Sequence, residues 1–114
     1  MTKYKVVLVP FPFDDLSGSK VRPAVCLTEP IGQYRHVVIA FITSRIPDEL
    51  LDTDILIASE LNDFKYTGLR VSSALRLHRV LTVTATMIQR ELGYLSEIKQ
   101  NIVQNKLKQL FSLE

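Results

Sequence analysis

Apolar residues in this chain gather in short runs separated by polar, Pro- or Gly-bearing stretches. Val6-Val7-Leu8-Val9 is β-branched and apolar on both faces, so it predicts a strand buried on two sides. Pro10 and Pro12 end it, and the polar stretch from Asp14 to Lys20, with Gly18 inside it, reads as a loop. Ala24 to Thr28 predicts a second strand, Glu29-Pro30-Ile31-Gly32 a turn, and His36 to Thr43 a third strand. Ser44 to Asp52 is irregular, broken by Pro47. Asp54 to Ala58 predicts a fourth strand, and Gly68 precedes an extended run from Leu69 to Leu77.

Two helical pieces follow. Thr84 suits the N-cap of a short helix that Gly93 would stop. Ser96 can cap a longer one, in which Ile98, Ile102, Val103, Leu107, Leu110 and Phe111 recur on one face and Lys99, Lys106 and Lys108 lie on the solvated one. Short strands with tight connections and a C-terminal helix predict a mainly β fold: a small, strongly curved barrel or half-barrel. The pattern alone leaves SH3-like and OB-like barrels equally open.

Composition changes little. At 114 residues, 46% hydrophobic and 23% charged, the chain is long enough for one domain with a core needing neither disulfide nor structural metal. The single Cys26 lies in the apolar run Ala24-Val25-Cys26-Leu27, where a buried, inert thiol is expected. The N-terminal apolar stretch is too short and too Pro-broken for a signal peptide or membrane span, which predicts a cytoplasmic protein. A formal net charge of +2 permits nucleic-acid binding without arguing for it.

Several chemistries are excluded. One Cys with His36 and His78 makes no metal-ligand spacing, so no metal or cofactor is expected. Gly18 alone makes no phosphate-cradling loop, and no Gly-x-Ser-x-Gly occurs. Asp14 and Asp15 are adjacent in an extended loop, where their side chains diverge. What remains is a set of polar residues at the ends of apolar strands. Arg22 precedes Pro23, Thr43 and Ser44 end the third strand, and Arg76 and His78 stand two apart on one face of an extended segment. Taken singly, each reads as a solvated side chain.

Their order carries more. Val-Leu-Val-Pro-Phe-Pro-Phe-Asp-Asp-Leu-Ser-Gly-Ser-Lys-Val-Arg-Pro-Ala-Val, positions 7 to 25, closely resembles the start of PemK-like members of the MazF/PemK toxin superfamily. The resemblance continues through Ala40-Phe41-Ile42-Thr43-Ser44 and Thr67-Gly68-Leu69, into a strand from Ser73 to Thr82, and ends near Gly93-Tyr94-Leu95-Ser96. It implies an SH3-like barrel with a C-terminal helix and a short additional helix. It also implies a homodimer and a metal-independent endoribonuclease acting on single-stranded RNA. In such enzymes the ribose 2′-hydroxyl attacks its own phosphodiester, leaving a 2′,3′-cyclic phosphate. A cognate antitoxin protein is the implied partner, with DNA binding in the company of that antitoxin.

Carried over by position, Arg22 would stabilise or protonate at the phosphate, Thr43 would hydrogen-bond a phosphate oxygen, and Arg76 matches a further basic position. The family's Arg-x-Asp reads Arg76-Leu77-His78 here, so His78 takes the place of the acid assigned as base. Phe13, Ser17, Ser19 and Lys20 of the loop, with Ser44 and Arg45, are the expected substrate contacts. Two other functions stay open: an inactive relative that binds RNA or protein on the same face, and a gyrase-poison-like toxin. The latter type carries a Trp-bearing tail, whereas this chain has no Trp and ends Phe111-Ser112-Leu113-Glu114.

Overall fold

In the computed structural model, described over residues 1–10 and 20–113, one antiparallel sheet curls around the centre of the molecule. Its strands are β1 (Lys5–Pro10), β2 (Val21–Cys26), β3 (His36–Thr43), β4 (Asp54–Ile57), β5 (Ser73–Thr84) and β6 (Arg90–Tyr94). The spatial order is β4-β5-β3-β2-β1-β6, and a helix, α1 (Glu97–Leu110), closes the chain. The fold is therefore mainly β, as expected: a six-stranded half-barrel with one C-terminal helix.

Strand alternation sorts the apolar residues onto two faces. Val6, Val25, Ala40, Ile42, Leu75 and Leu77 point to the side covered by α1, where Val103 is fully buried and Ile102, Leu107 and Leu110 pack against them. Val7, Val9, Ala24, Cys26, Ile39 and Phe41 form a second cluster on the opposite face. The two-sided burial expected of Val6 to Val9 follows, because neighbours in this run feed different clusters. Cys26 is buried in the second, as its apolar context predicts.

Three local readings change. The expected helix from Thr84 to Gly93 is only a 3-10 turn at Ala85–Met87, which Thr84 does not cap through its side chain. Beyond it the chain forms β6, antiparallel to β1. Gly93 does not stop a helix there. A Cβ on Gly93 would lie 2.1 Å from the Tyr66 carbonyl oxygen, so the residue permits close backbone approach to the 3-10 turn Phe64–Thr67. The extended run also begins later and runs longer than Leu69 to Leu77, since β5 spans Ser73–Thr84.

The third change is on α1. Ser96 caps it as expected, accepting the Lys99 backbone N–H at 3.2 Å. However, Ile98 and Phe111 are exposed, whereas Lys99 is buried. The Lys99 ammonium lies 3.5 Å from the Asp63 carboxylate, which also accepts the Ser96 hydroxyl at 2.7 Å. A long aliphatic stem lets lysine occupy an apolar face when its charge is met at the end. The buried face thus keeps Ile102, Val103, Leu107 and Leu110 as the apolar spacing suggests, and its first turn contributes Lys99 rather than Ile98. No helix of the described residues is long and apolar enough to cross a membrane.

Candidate active site

Two departures from regular pairing open a cleft at one end of the sheet. The first is where β2 and β3 part. Their ladder runs from Cys26↔Ile39 to Ala24↔Phe41 and stops, although β2 continues back to Val21 and β3 on to Thr43. Pro23 has no N–H to continue a ladder, and it sits at this point of divergence. β1 still holds the end of β2, through Leu8↔Pro23 and Val9↔Arg22. Arg22 is therefore fixed in a strand opposite a buried valine, yet its side chain is exposed.

The second departure is in β5. Its register against β3 passes from Ala40↔Val80 to Ile42↔Leu75. Arg76, Leu77, His78 and Arg79 together stand opposite the single residue Phe41. Such a bulge bends the strand and re-aims its side chains. Leu77 anchors it in the helix-side core, while Arg76 and Arg79 reach the cleft.

The cleft has a volume of about 410 Å³ and is lined by Lys20, Arg22, Phe41, Ile42, Thr43, Ser44, Arg45, Arg76 and Arg79. Five of these are cationic, and no carboxylate is among the described lining residues. A chain with a net charge of only +2 thus concentrates positive charge at one place. Thr43 Oγ1 accepts the Arg45 backbone N–H at 3.1 Å. That bond uses a lone pair and leaves the hydroxyl proton as a donor.

Behind this lining lies a buried carboxylate. Asp54 has a fully buried side chain at the start of β4, in register with Arg76. Its Oδ1 accepts Arg76 Nε–H at 2.8 Å, and its Oδ2 accepts the Leu51 backbone N–H at 2.8 Å. His78 Nδ1 stands 4.0 Å from the same Oδ1, with the imidazole 37% exposed.

Of the residues expected from sequence, Arg22, Thr43, Ser44, Arg45, Lys20 and Arg76 share one cleft. His78 does not line it and flanks Asp54 instead. Phe13, Ser17 and Ser19 lie outside the described residues. Arg79 and Asp54 are site residues that no sequence motif marks. Arg79 carries no local mark beyond its place next to His78, and Asp54 reads as the opening residue of an apolar strand. The buried Cys26 thiol has its pKa pushed up to about 11, by desolvation first and then by the charges of Glu91 and Glu29.

A curled six-stranded sheet with a helix on one face thus carries a cationic cleft at the parted strand ends, chemistry that suits an anion. The sequence matches the family model described as PemK-like, MazF-like toxin of type II toxin-antitoxin system, over residues 2–111. The chain belongs to that family. Among solved structures it is similar to the Mycobacterium tuberculosis toxin MazF-mt6, with TM-score 0.73 and 19% identity, over 96% of this chain and 98% of that one. It is also similar to an endoribonuclease in complex with its cognate antitoxin from Mycobacterial species, with TM-score 0.68 and 16% identity, over 100% and 95% of the two chains. At those identities the likeness shows the fold. A search of curated proteins gave no match.

Proposed function

We propose that this chain is the toxin of a type II toxin-antitoxin pair and a metal-independent endoribonuclease acting on single-stranded RNA. The observation that carries the proposal is the cleft itself: Arg22, Arg76 and Thr43 converge where β2 and β3 part beside the bulge of β5, with no carboxylate in the described lining. In the reaction, the ribose 2′-oxygen bonds to its own phosphorus and the bond to the 5′-oxygen breaks. The products are a 2′,3′-cyclic phosphate and a 5′-hydroxyl. Negative charge builds on the phosphorane, and guanidinium groups in a preorganised cleft stabilise it. The nucleophile belongs to the substrate, so in-line positioning supplies much of the rate.

Arg22 and Arg76 face the reacting phosphate in this account, and Thr43 donates its hydroxyl proton to a phosphate oxygen. Lys20, Ser44, Arg45 and Arg79 hold neighbouring phosphates, and Phe13, Ser17 and Ser19 extend the contact. His78 takes the 2′-hydroxyl proton, and the leaving 5′-oxygen takes a proton from Arg22 or from water. The only other imidazole, His36, is at the opposite end of β3 from Thr43, roughly 20 Å away along the strand. The partner is an antitoxin with an acidic segment that occupies the cleft, and the toxin works in the cytoplasm as a homodimer.

A second reading, an inactive relative that binds RNA, is favoured by the position of His78 outside the cleft lining. Incubating the purified protein with mixed-sequence RNA in excess EDTA separates the two. Cyclic-phosphate ends support the nuclease. Intact RNA with a folded, dimeric protein supports the binder. If His78→Ala cleaves at the wild-type rate, His78 leaves the base role.

A further inference from the structure

We propose that Asp54 is the positioning residue of the cleft, holding Arg76 by its Nε–H so that the guanidinium presents its remaining donors to a bound phosphate. The inference deepens the nuclease reading and rests on it. The geometry is specific. Asp54 and Arg76 are directly opposite in the β4–β5 ladder, and the bond from Nε to Oδ1 is 2.8 Å. It uses one of the five guanidinium N–H donors, leaving four.

Asp54 is itself fixed. Its Oδ2 accepts the Leu51 N–H at 2.8 Å, and its own N–H donates to the Leu51 carbonyl at 3.0 Å. A fully buried carboxylate is costly unless charge and hydrogen bonds meet it, and well-packed apolar residues often serve stability as well. Here the carboxylate does something a leucine would not do.

The cleft supplies the reason. Arg76 shares it with Lys20, Arg22, Arg45 and Arg79, and like charges repel. An untethered arginine on the bulge of β5 would turn away from that crowd toward solvent. A carboxylate placed behind the lining opposes the repulsion and fixes the plane of the fork, without adding an anion where the phosphate must sit. The Nε attachment matters, because a lysine in this place offers a point charge and no rigid fork.

The test is a double-mutant cycle on the full chain, using Asp54→Asn, Arg76→Ala and the double variant, each first shown to be folded by urea unfolding. RNA cleavage is measured as kcat and KM. Asp54→Asn is expected to lower kcat at least tenfold with KM changed less than threefold, and to cost less than twofold when added to Arg76→Ala. Equal losses in both backgrounds overturn the proposal, as does wild-type kcat in Asp54→Asn.

Arg76→Lys gives a reading if Asp54→Asn does not fold. It should lose at least tenfold in kcat despite keeping the charge, and full activity overturns the proposal. Binding of a non-cleavable 2′-O-methyl oligoribonucleotide completes the set. It should weaken about threefold in Asp54→Asn and no further between Arg76→Ala and the double variant. A wild-type protein that cleaves nothing overturns the nuclease reading, and the binding cycle then decides the role of Asp54: coupling supports it and independence overturns it.

Discussion

Thr43 Oγ1 accepts the backbone N–H of Arg45 at 3.1 Å, so the turn that ends β3 also orients the hydroxyl. Thr43 lines the cleft, and the hydroxyl proton stays available to a group bound there. Thr43→Ala is expected to lower kcat for RNA cleavage about 10- to 100-fold, with a smaller change in KM, as for removal of a donor to a transition-state oxyanion. Thr43→Ser keeps the hydroxyl and should stay within a few-fold of wild type. Steady-state kinetics on a short RNA checks both.

The five cations of the cleft predict the salt dependence of binding. For single strands, the slope of log K against log salt is about −0.7 per neutralised phosphate, so five contacts give at most about −3.5. Arg79→Ala should reduce the magnitude of the slope by about 0.7. Fluorescence anisotropy with a non-cleavable oligonucleotide, from low to moderate salt, measures it. A slope near zero would show that RNA does not occupy this cleft.

Cys26 predicts an alkaline effect whose sign follows from its burial. Its pKa is raised from 9.0 to about 11 in the folded protein. The folded state therefore keeps its proton where the unfolded state has lost it. Stability from this group is complete below pH 9 and declines between 9 and 11, by about 2–3 kcal/mol in all. Urea unfolding across that range should show the decline in wild type and a correspondingly smaller one in Cys26→Ala. Below pH 9 the thiol should react with iodoacetamide far more slowly than in the unfolded chain.

Gly93 predicts a packing effect. A methyl group there meets the Tyr66 carbonyl oxygen at 2.1 Å and the Thr67 backbone carbon at 2.6 Å, neither of which is the flexible end of a side chain. Gly93→Ala should cost at least about 3 kcal/mol, in the range of severe backbone clashes. Gly32 has φ +74 and nothing within 4 Å of an added Cβ, so Gly32→Ala should cost only the conformational term, about 1–2 kcal/mol. Thermal or urea unfolding of the pair separates clash from conformation.

β1, β3 and β4 were legible because runs such as Val6 to Val9 and His36 to Thr43 are apolar enough to mark a strand without context; β2 was legible in part, since it spans Val21–Cys26 rather than Ala24 to Thr28. β6 was not. Arg90-Glu91-Leu92-Gly93-Tyr94 has no strand-like alternation, and it pairs because β1 needs a neighbour on its outer edge. The burial of Lys99 on α1 was hidden for a related reason: its charge is met by Asp63, a partner far away in sequence. The cleft divides the same way. Arg22 and Thr43 sit in short motifs that resemble a known family. Asp54 acts across a β4–β5 ladder and Arg79 across a bulge, and no local pattern marks either.

In the proposed function, positive charge at the parted ends of β2 and β3 drives cleavage of RNA at the ribose 2′-hydroxyl. The most direct measurement is end-group analysis of RNA incubated in excess EDTA with wild type and with Arg22→Ala, both shown to be folded. Wild type should leave 2′,3′-cyclic phosphate ends, and Arg22→Ala should cleave at least a hundredfold more slowly. Equal cleavage by the two, or wild-type products carrying 5′-phosphates, would contradict the proposal.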